Sequence, residues 1–175
     1  MIIVSNHVKD KVRLNNDIVI RINVAWIKTL DELQEIIVDN AYNPIYLDYP
    51  EGRTKPPTPT LSMHDAISIT YKYDNIKYFA ISNAEEKVSL EMVRKDLPLR
   101  VKIIPKIETP KGCMNVKEIC EGAETDTIML DKEDLYTSLG ARPDLHNDYM
   151  NWFKKLCKEN AITILEMQGV IFYES

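Results

Sequence analysis

The sequence predicts an α/β chain built on a parallel sheet. Three observations predict it: β-branched runs of strand length alternate with stretches of helical spacing, cap and turn residues fall between them, and the crossovers are helix-sized. The 175 residues suit one domain, 1–175, long enough to bury a core without staples.

Asp17–Ala25 (DIVIRINVA) reads as the first strong strand, and Ile2–Ser5 as a strand that can pair beside it. Thr29–Asn40 carries Leu30, Leu33, Ile36 and Ile37 at helical spacing, with Thr29 and Glu32 placed as a capping box. Asn43–Tyr49 (NPIYLDY) is a strand that exits into Pro50, Gly52, Pro56, Pro57 and Pro59, a segment that cannot be helix. Leu61–Tyr73 is then helical, Ile76–Ser82 extended, and Ala84–Asp96 helical with Ser82 or Asn83 as its cap. Arg100–Ile107 (RVKIIPKI) is extended, Val116–Cys120 a short helix capped by Asn115, and Thr127–Leu130 (TIML) a strand. Asp144–Glu159 and Ala161–Leu165 supply a last helix and strand. Six strands, seven with Ile2–Ser5, fall short of the eight of a full (β/α) barrel, which needs about 200 residues or more. The expectation is a shortened or incomplete TIM-barrel-like fold.

Composition narrows the function classes. Charged residues make up 28% of the chain and the formal charge is −5, with no basic stripe to track a phosphate backbone, so nucleic acid is excluded as a partner. No run reaches the length of a membrane span and the N-terminus has no signal-peptide pattern. Cys113, Cys120 and Cys157 lack CxxC spacing, which argues against zinc or a disulfide framework and for a cytoplasmic setting.

Ligands of parallel α/β sheets collect at the C-terminal strand ends. The polar residues there are Arg21 and Asn23, Asp48 and Arg53, Ser82 and Asn83, Lys106 and Glu108, Asp131 and Asp134, and Glu166. In IPKIETPKG, Lys106 and Glu108 are two apart and share one side of an extended segment. An apolar strand does not turn such residues inward without partners or a ligand. In IMLDKEDLYTSLG, Asp134 follows the next strand, so two carboxylates leave adjacent strand ends, as in many Mg²⁺ sites. The same residues also have structural readings: Lys106 and Glu108 as an ion pair on an exposed strand edge, Asp134 as a helix cap. His7, His64 and His146 are scattered, without ligand spacing, and read as surface or packing residues.

IPKIETPKG followed by DTIMLDKEDLYTSLG resembles the phosphoenolpyruvate/pyruvate-binding barrel superfamily, which includes pyruvate kinase and the aldolase/citrate-lyase (HpcH/HpaI-like) enzymes. IVIRIN, IYLDYPEGRTK, LSMHDA, KYFAISNAEEKVSLEMVRK and, more weakly, AITILEMQ resemble further pyruvate kinase segments in the same order, over roughly residues 18–168. The resemblance implies Mg²⁺ or Mn²⁺ on Glu108 and Asp134. It implies Lys106 as the charge beside a reacting enolate and Arg21 as the group that meets the substrate anion. Asn23, Asp48, Arg53 and Ser82 are implied in substrate binding. Asn23 and Asp48 also match half of a potassium site whose other members are replaced by Ala25 and Tyr49, which puts K⁺ in doubt.

The departures decide between activities. Only TKPPTPT stands where pyruvate kinase inserts its lid domain, Leu165 holds the place of a catalytic threonine, and Glu133 replaces a glycine beside the metal aspartate, as in citrate-lyase-type proteins. Nucleotide positioning and water exclusion are lost with the lid, so phosphoryl transfer is not expected. The resemblance therefore implies a Mg²⁺-dependent carbon–carbon lyase or aldolase acting on a pyruvate-, oxaloacetate- or phosphoenolpyruvate-like oxo-acid through a metal-stabilised enolate. The alternative is a non-catalytic binding or regulatory protein. A truncated sheet leaves open edges, so a homo-oligomer, a dimer, is expected, with Trp152 and Gly169–Tyr173 (GVIFY) as contact elements.

Overall fold

The computed structural model describes residues 2–5, 18–53 and 56–166, which form two compact units. His7, Asp17 at the head of the expected first strand, and the expected contact segment Gly169–Tyr173 lie outside the described residues. One unit takes the described residues up to Ala80 together with Leu97–Lys102; the other takes Ile81–Asp96 and the described residues from Ile103 onward.

In the first unit, β1 (Ile2–Ser5) pairs in parallel with β2 (Ile18–Asn23), and β2 with β3 (Ile45–Tyr49). β4 (Ile76–Ile81), all but its last residue, belongs to the same unit. Helices α1 (Leu30–Asp39) and α2 (Met63–Lys72) connect these strands. Residues 19–22 and all of β3 are buried, the two-sided burial of parallel strands covered by helices. Arg21 and Asp48 therefore sit inside runs that would otherwise be apolar.

Local chemistry adds to or departs from expectation in three places. Thr29 caps α1 by accepting from the Glu32 amide at 3.2 Å, but Glu32 accepts from the Lys28 amide instead of closing a box on Thr29. The reciprocal capping box forms at α2, between Ser62 and Asp65. Arg100, expected in a strand, instead donates to Asp74 at 2.8 Å and to the Thr70 carbonyl, which ties residue 100 to the end of α2 and delays β5 to Lys102.

The second unit orders β5 (Lys102–Ile107), β6 (Thr127–Leu130) and β7 (Thr163–Glu166) with parallel pairing, Lys106 opposite Met129 and Thr127 opposite Thr163. Its helices are α3 (Lys87–Asp96), α4 (Pro110–Met114), α5 (Val116–Ala123), α6 (Lys132–Ser138) and α7 (Pro143–Glu159). Alternating helices and parallel strands make this an α/β fold, an incomplete (β/α) TIM-barrel-like arrangement.

Two elements here depart from expectation. α3 starts at Lys87, three residues later than its periodicity suggests, because Ser82–Glu86 is held by other partners described below. Asn115 precedes α5 without capping it; its side-chain amide donates to the Glu85 carbonyl at 2.9 Å. All three thiols are buried and free, and burial pushes Cys113 and Cys120 up to about 12 and Cys157 to about 11, so they behave as packing residues. No described helix is long and apolar enough to cross a membrane.

α5 approaches α3 closely at Gly122, where an added Cβ would stand 2.5 Å from the Lys87 carbonyl oxygen. Alanine normally favours a helix over glycine by about 1 kcal/mol. Gly122→Ala is nonetheless expected to destabilise the fold by about 1–3 kcal/mol, because backbone has to yield. Urea denaturation of the two proteins measures this; equal or higher stability in the variant would show that α3 and α5 can separate without cost.

Candidate metal centre

Strand β5 is an apolar run, with Ile103, Ile104 and Ile107 fully buried, and it carries Lys106, which is buried as well. The pleat sets Lys106 and Glu108 on one side, and the Lys106 ammonium lies 2.9 Å from a Glu108 carboxylate oxygen. Each is only 6% exposed, so this is not an ion pair on a solvated strand edge. Lys106 also donates to Ser82 Oγ at 3.0 Å, and the Asn83 amide donates to Glu108 Oε2 at 3.1 Å. The backbone supports this: Ala84 N–H donates to the Lys106 carbonyl at 3.1 Å, and Asn83 takes a left-handed conformation, φ 52°. Asparagine is among the residues that tolerate that region best. Ser82 and Asn83, expected to cap a helix, thus serve the buried pair.

The TPKG that follows Glu108 sets its position. Thr109 caps α4 through the Gly112 amide at 3.1 Å, and Pro110 occupies the first turn, where its missing N–H costs nothing. Thr109 donates to Glu85 at 2.7 Å, and Gly112 passes so close to the Ala84 carbonyl that a Cβ would meet it at 2.6 Å. Lys111 pairs with Glu85 and Glu86. Residues 82–86 and 108–112 therefore lock each other, and Glu108 has little freedom to turn away.

The second acid comes from the neighbouring strand. The Asp131 amide donates to the Ile107 carbonyl at 3.1 Å, holding the end of β6 beside Glu108, and α6 starts at once. Asp134 lies in the first turn of α6; the cap is Asp131, whose Oδ1 accepts from the Asp134 amide at 3.2 Å. Glu108, Asp131 and Asp134 each offer a carboxylate oxygen, and these oxygens all lie within 4.8 Å of one another. Oxygens on opposite sides of a cation stand about 4.2 Å apart around Mg²⁺ and about 5 Å around Ca²⁺, twice the usual bond lengths. The cluster is of a size to share one ion. Burial raises the Glu108 carboxyl above its ordinary value, and Asp131 adds to this; Lys106 and the Asn83 amide oppose it. Oxygen-only donors of this kind suit a hard divalent cation. Sequence reasoning placed Asp131 at this strand end but did not assign it to the cation; its signal was the Asp-x-x-Asp spacing across a helix start.

The other expected site residues lie in the first unit. Arg21 Nε donates to Asp48 Oδ2 at 2.8 Å and a terminal nitrogen reaches the same oxygen, with both side chains buried. Asn23 caps a 3-10 turn (Val24–Trp26) by accepting from the Ala25 amide at 3.0 Å. Arg53 donates to the carbonyls of Pro57 at 3.1 Å and Pro56 at 2.8 Å, tying down the proline loop.

Glu166, also at a strand end, is bridged by Lys132 of α6 and by Lys154 of α7 at 3.0 Å. The hydrogen bond from Lys132 holds its carboxyl below the ordinary value, with Lys154 adding to this. A carboxyl lowered on folding stabilises above its unfolded value and loses that contribution as pH falls through the folded one. Glu166→Gln should therefore be less stable than the native chain at neutral pH and equal to it in acid below the carboxylate range. Thermal unfolding against pH measures this; a difference that persists unchanged in acid would assign the loss to packing.

No protein-family model matches the sequence, and no curated protein matches it. Solved structures do resemble the fold. Citrate synthase SbnG matches with a TM-score of 0.61 over 87% of this chain and 68% of its own, at 15% identity. RipC from Yersinia pestis matches at 0.59 over 85% of this chain and 68% of its own, at 13% identity. A variant of the same citrate synthase matches at 0.62 over 84% of this chain, which spans 65% of that one, at 14% identity. At such identities the likeness is one of fold.

Proposed function

We propose that the chain is a metal-dependent carbon–carbon lyase or aldolase of the citrate-lyase kind, acting on a pyruvate- or oxaloacetate-like oxo-acid, with Mg²⁺ or Mn²⁺ held by Glu108 and Asp134. The observation that carries the reading is the approach of these two carboxylates, from consecutive strand ends, to within 4.8 Å beside a buried lysine. Its fold also resembles that of a protein described as a citrate synthase. Motif order resembling the phosphoenolpyruvate/pyruvate-binding barrels points the same way.

A divalent cation on these acids would supply a Lewis acid able to polarise the keto oxygen of an oxo-acid. The chain's own groups do the rest. Lys106, fixed between Ser82 and Glu108, presents positive charge where negative charge develops, and its fixed position spares reorganisation. Ser82 orients that ammonium.

Glu108→Gln removes the buried charge yet keeps the shape. It is expected to weaken Mn²⁺ binding, followed calorimetrically, at least about tenfold, and to abolish cation-dependent turnover of oxaloacetate or a 4-hydroxy-2-oxo acid. Native protein that binds Mn²⁺ and oxalate but turns over no oxo-acid would reduce the chain to a binding protein. No binding of either would make the carboxylates structural.

The reading extends to a dimer. Trp152 on α7 is 43% exposed and packs edge-on against Tyr149 at 5.0 Å, an aromatic surface of the type that interfaces favour. Sedimentation at micromolar concentration should give twice the chain mass, and Trp152→Glu should give the monomer; a native monomer would contradict the assignment.

A further inference from the structure

We infer that Asp131 is a third carboxylate ligand of the same cation, and that its one side chain both starts helix α6 and closes the metal site; this rests on the proposed cation site at Glu108 and Asp134. Three observations converge on it. An Asp131 oxygen lies in the same 4.8 Å cluster as those of Glu108 and Asp134. The Asp131 amide is bound to the Ile107 carbonyl at 3.1 Å, so its backbone is fixed one residue from Glu108. The member it approaches, Glu108, is buried and already held by Lys106 and the Asn83 amide.

Charge explains why a third acid is tolerated there. Three carboxylates less the Lys106 ammonium leave a formal charge of two negatives, the complement of one divalent cation. Capping does not compete with ligation. A carboxylate has about four lone-pair sites, and the Asp134 amide uses one oxygen of Asp131 at 3.2 Å. The cap also places the other acid, because the residue whose amide it accepts is Asp134 itself. Ion and helix start are thereby linked: a cation that engages Asp131 steadies the turn that presents Asp134. A site with three protein carboxylates leaves fewer positions to water than one with two, and it favours hard divalent cations.

Substitution separates the two roles. Asparagine caps a helix as well as aspartate does, so Asp131→Asn keeps α6 and removes only the charge, while Asp131→Ala removes both. Native protein, Asp131→Asn and Asp131→Ala are titrated with Mn²⁺ and followed by calorimetry and by water-proton relaxation, alongside thermal melts in chelator. The inference expects Asp131→Asn to melt like the native chain in chelator and to bind Mn²⁺ at least about tenfold more weakly. Per bound ion, it should also relax water protons more strongly, because water enters the vacated position. Asp131→Ala should show the same weakening with a lowered melting temperature. Native-like affinity and relaxation in Asp131→Asn would overturn the inference and leave Asp131 a cap, with the Glu108–Asp134 site intact. A native chain that binds no Mn²⁺ would overturn both.

Discussion

An ammonium and a carboxylate buried together at the end of an apolar strand are costly unless each is held by further bonds. The Lys106–Glu108 pair sets the terms for everything around it. Further bonds to it come from Ser82 and from the Asn83 amide. To supply them, residues 82–86 leave the helical path that their spacing favours, Asn83 turns left-handed, and α3 begins only at Lys87. The same segment receives Thr109, Lys111 and Asn115 from the other side and presses on Gly112. The site is thus rigid because several local structural preferences yield to one buried charge pair.

The sequence made the architecture readable wherever hydrophobic period and cap chemistry agreed. Thr127–Leu130 was legible to the residue, and α1, β2, β3, α2 and α7 to within two or three, because β-branched runs and helical stripes were set off by turn and cap residues such as Thr29 and the proline loop. It misled where one residue had two available partners. Glu32 takes the Lys28 amide and not that of Thr29; Asn115 takes a carbonyl across the fold and not the amides of its own helix. Nothing in the linear order tells such choices apart, since tertiary neighbours decide them. The five-residue α4 was missed for a related reason: Thr-Pro at its start was visible, but so short a helix carries no period.

The candidate site divides the same way. Lys106, Glu108 and Ser82 come together because strand pleat and strand order are sequence-level properties. The placing of Asp134 just past the next strand was readable too, though its position in the first turn of α6, with Asp131 as the cap, was not. Arg21 and Asp48 were each expected at a ligand; the structure shows them bonded to one another, a cross-strand contact between positions 27 apart. Glu166, equally polar and equally placed at a strand end, is taken up by two lysines and serves packing. Strand-end position therefore nominates candidates, and partner chemistry sorts them.

The central claim is that one divalent cation joins the acids of two consecutive strand ends. Anomalous diffraction from crystals grown with Mn²⁺ and oxalate tests it most directly. The account predicts a single strong anomalous peak within coordination distance, about 2.2 Å, of both Glu108 and Asp134 oxygens, with oxalate on the same ion. A peak elsewhere, or carboxylates that remain bonded only to protein while Mn²⁺ and oxalate are present, would contradict it.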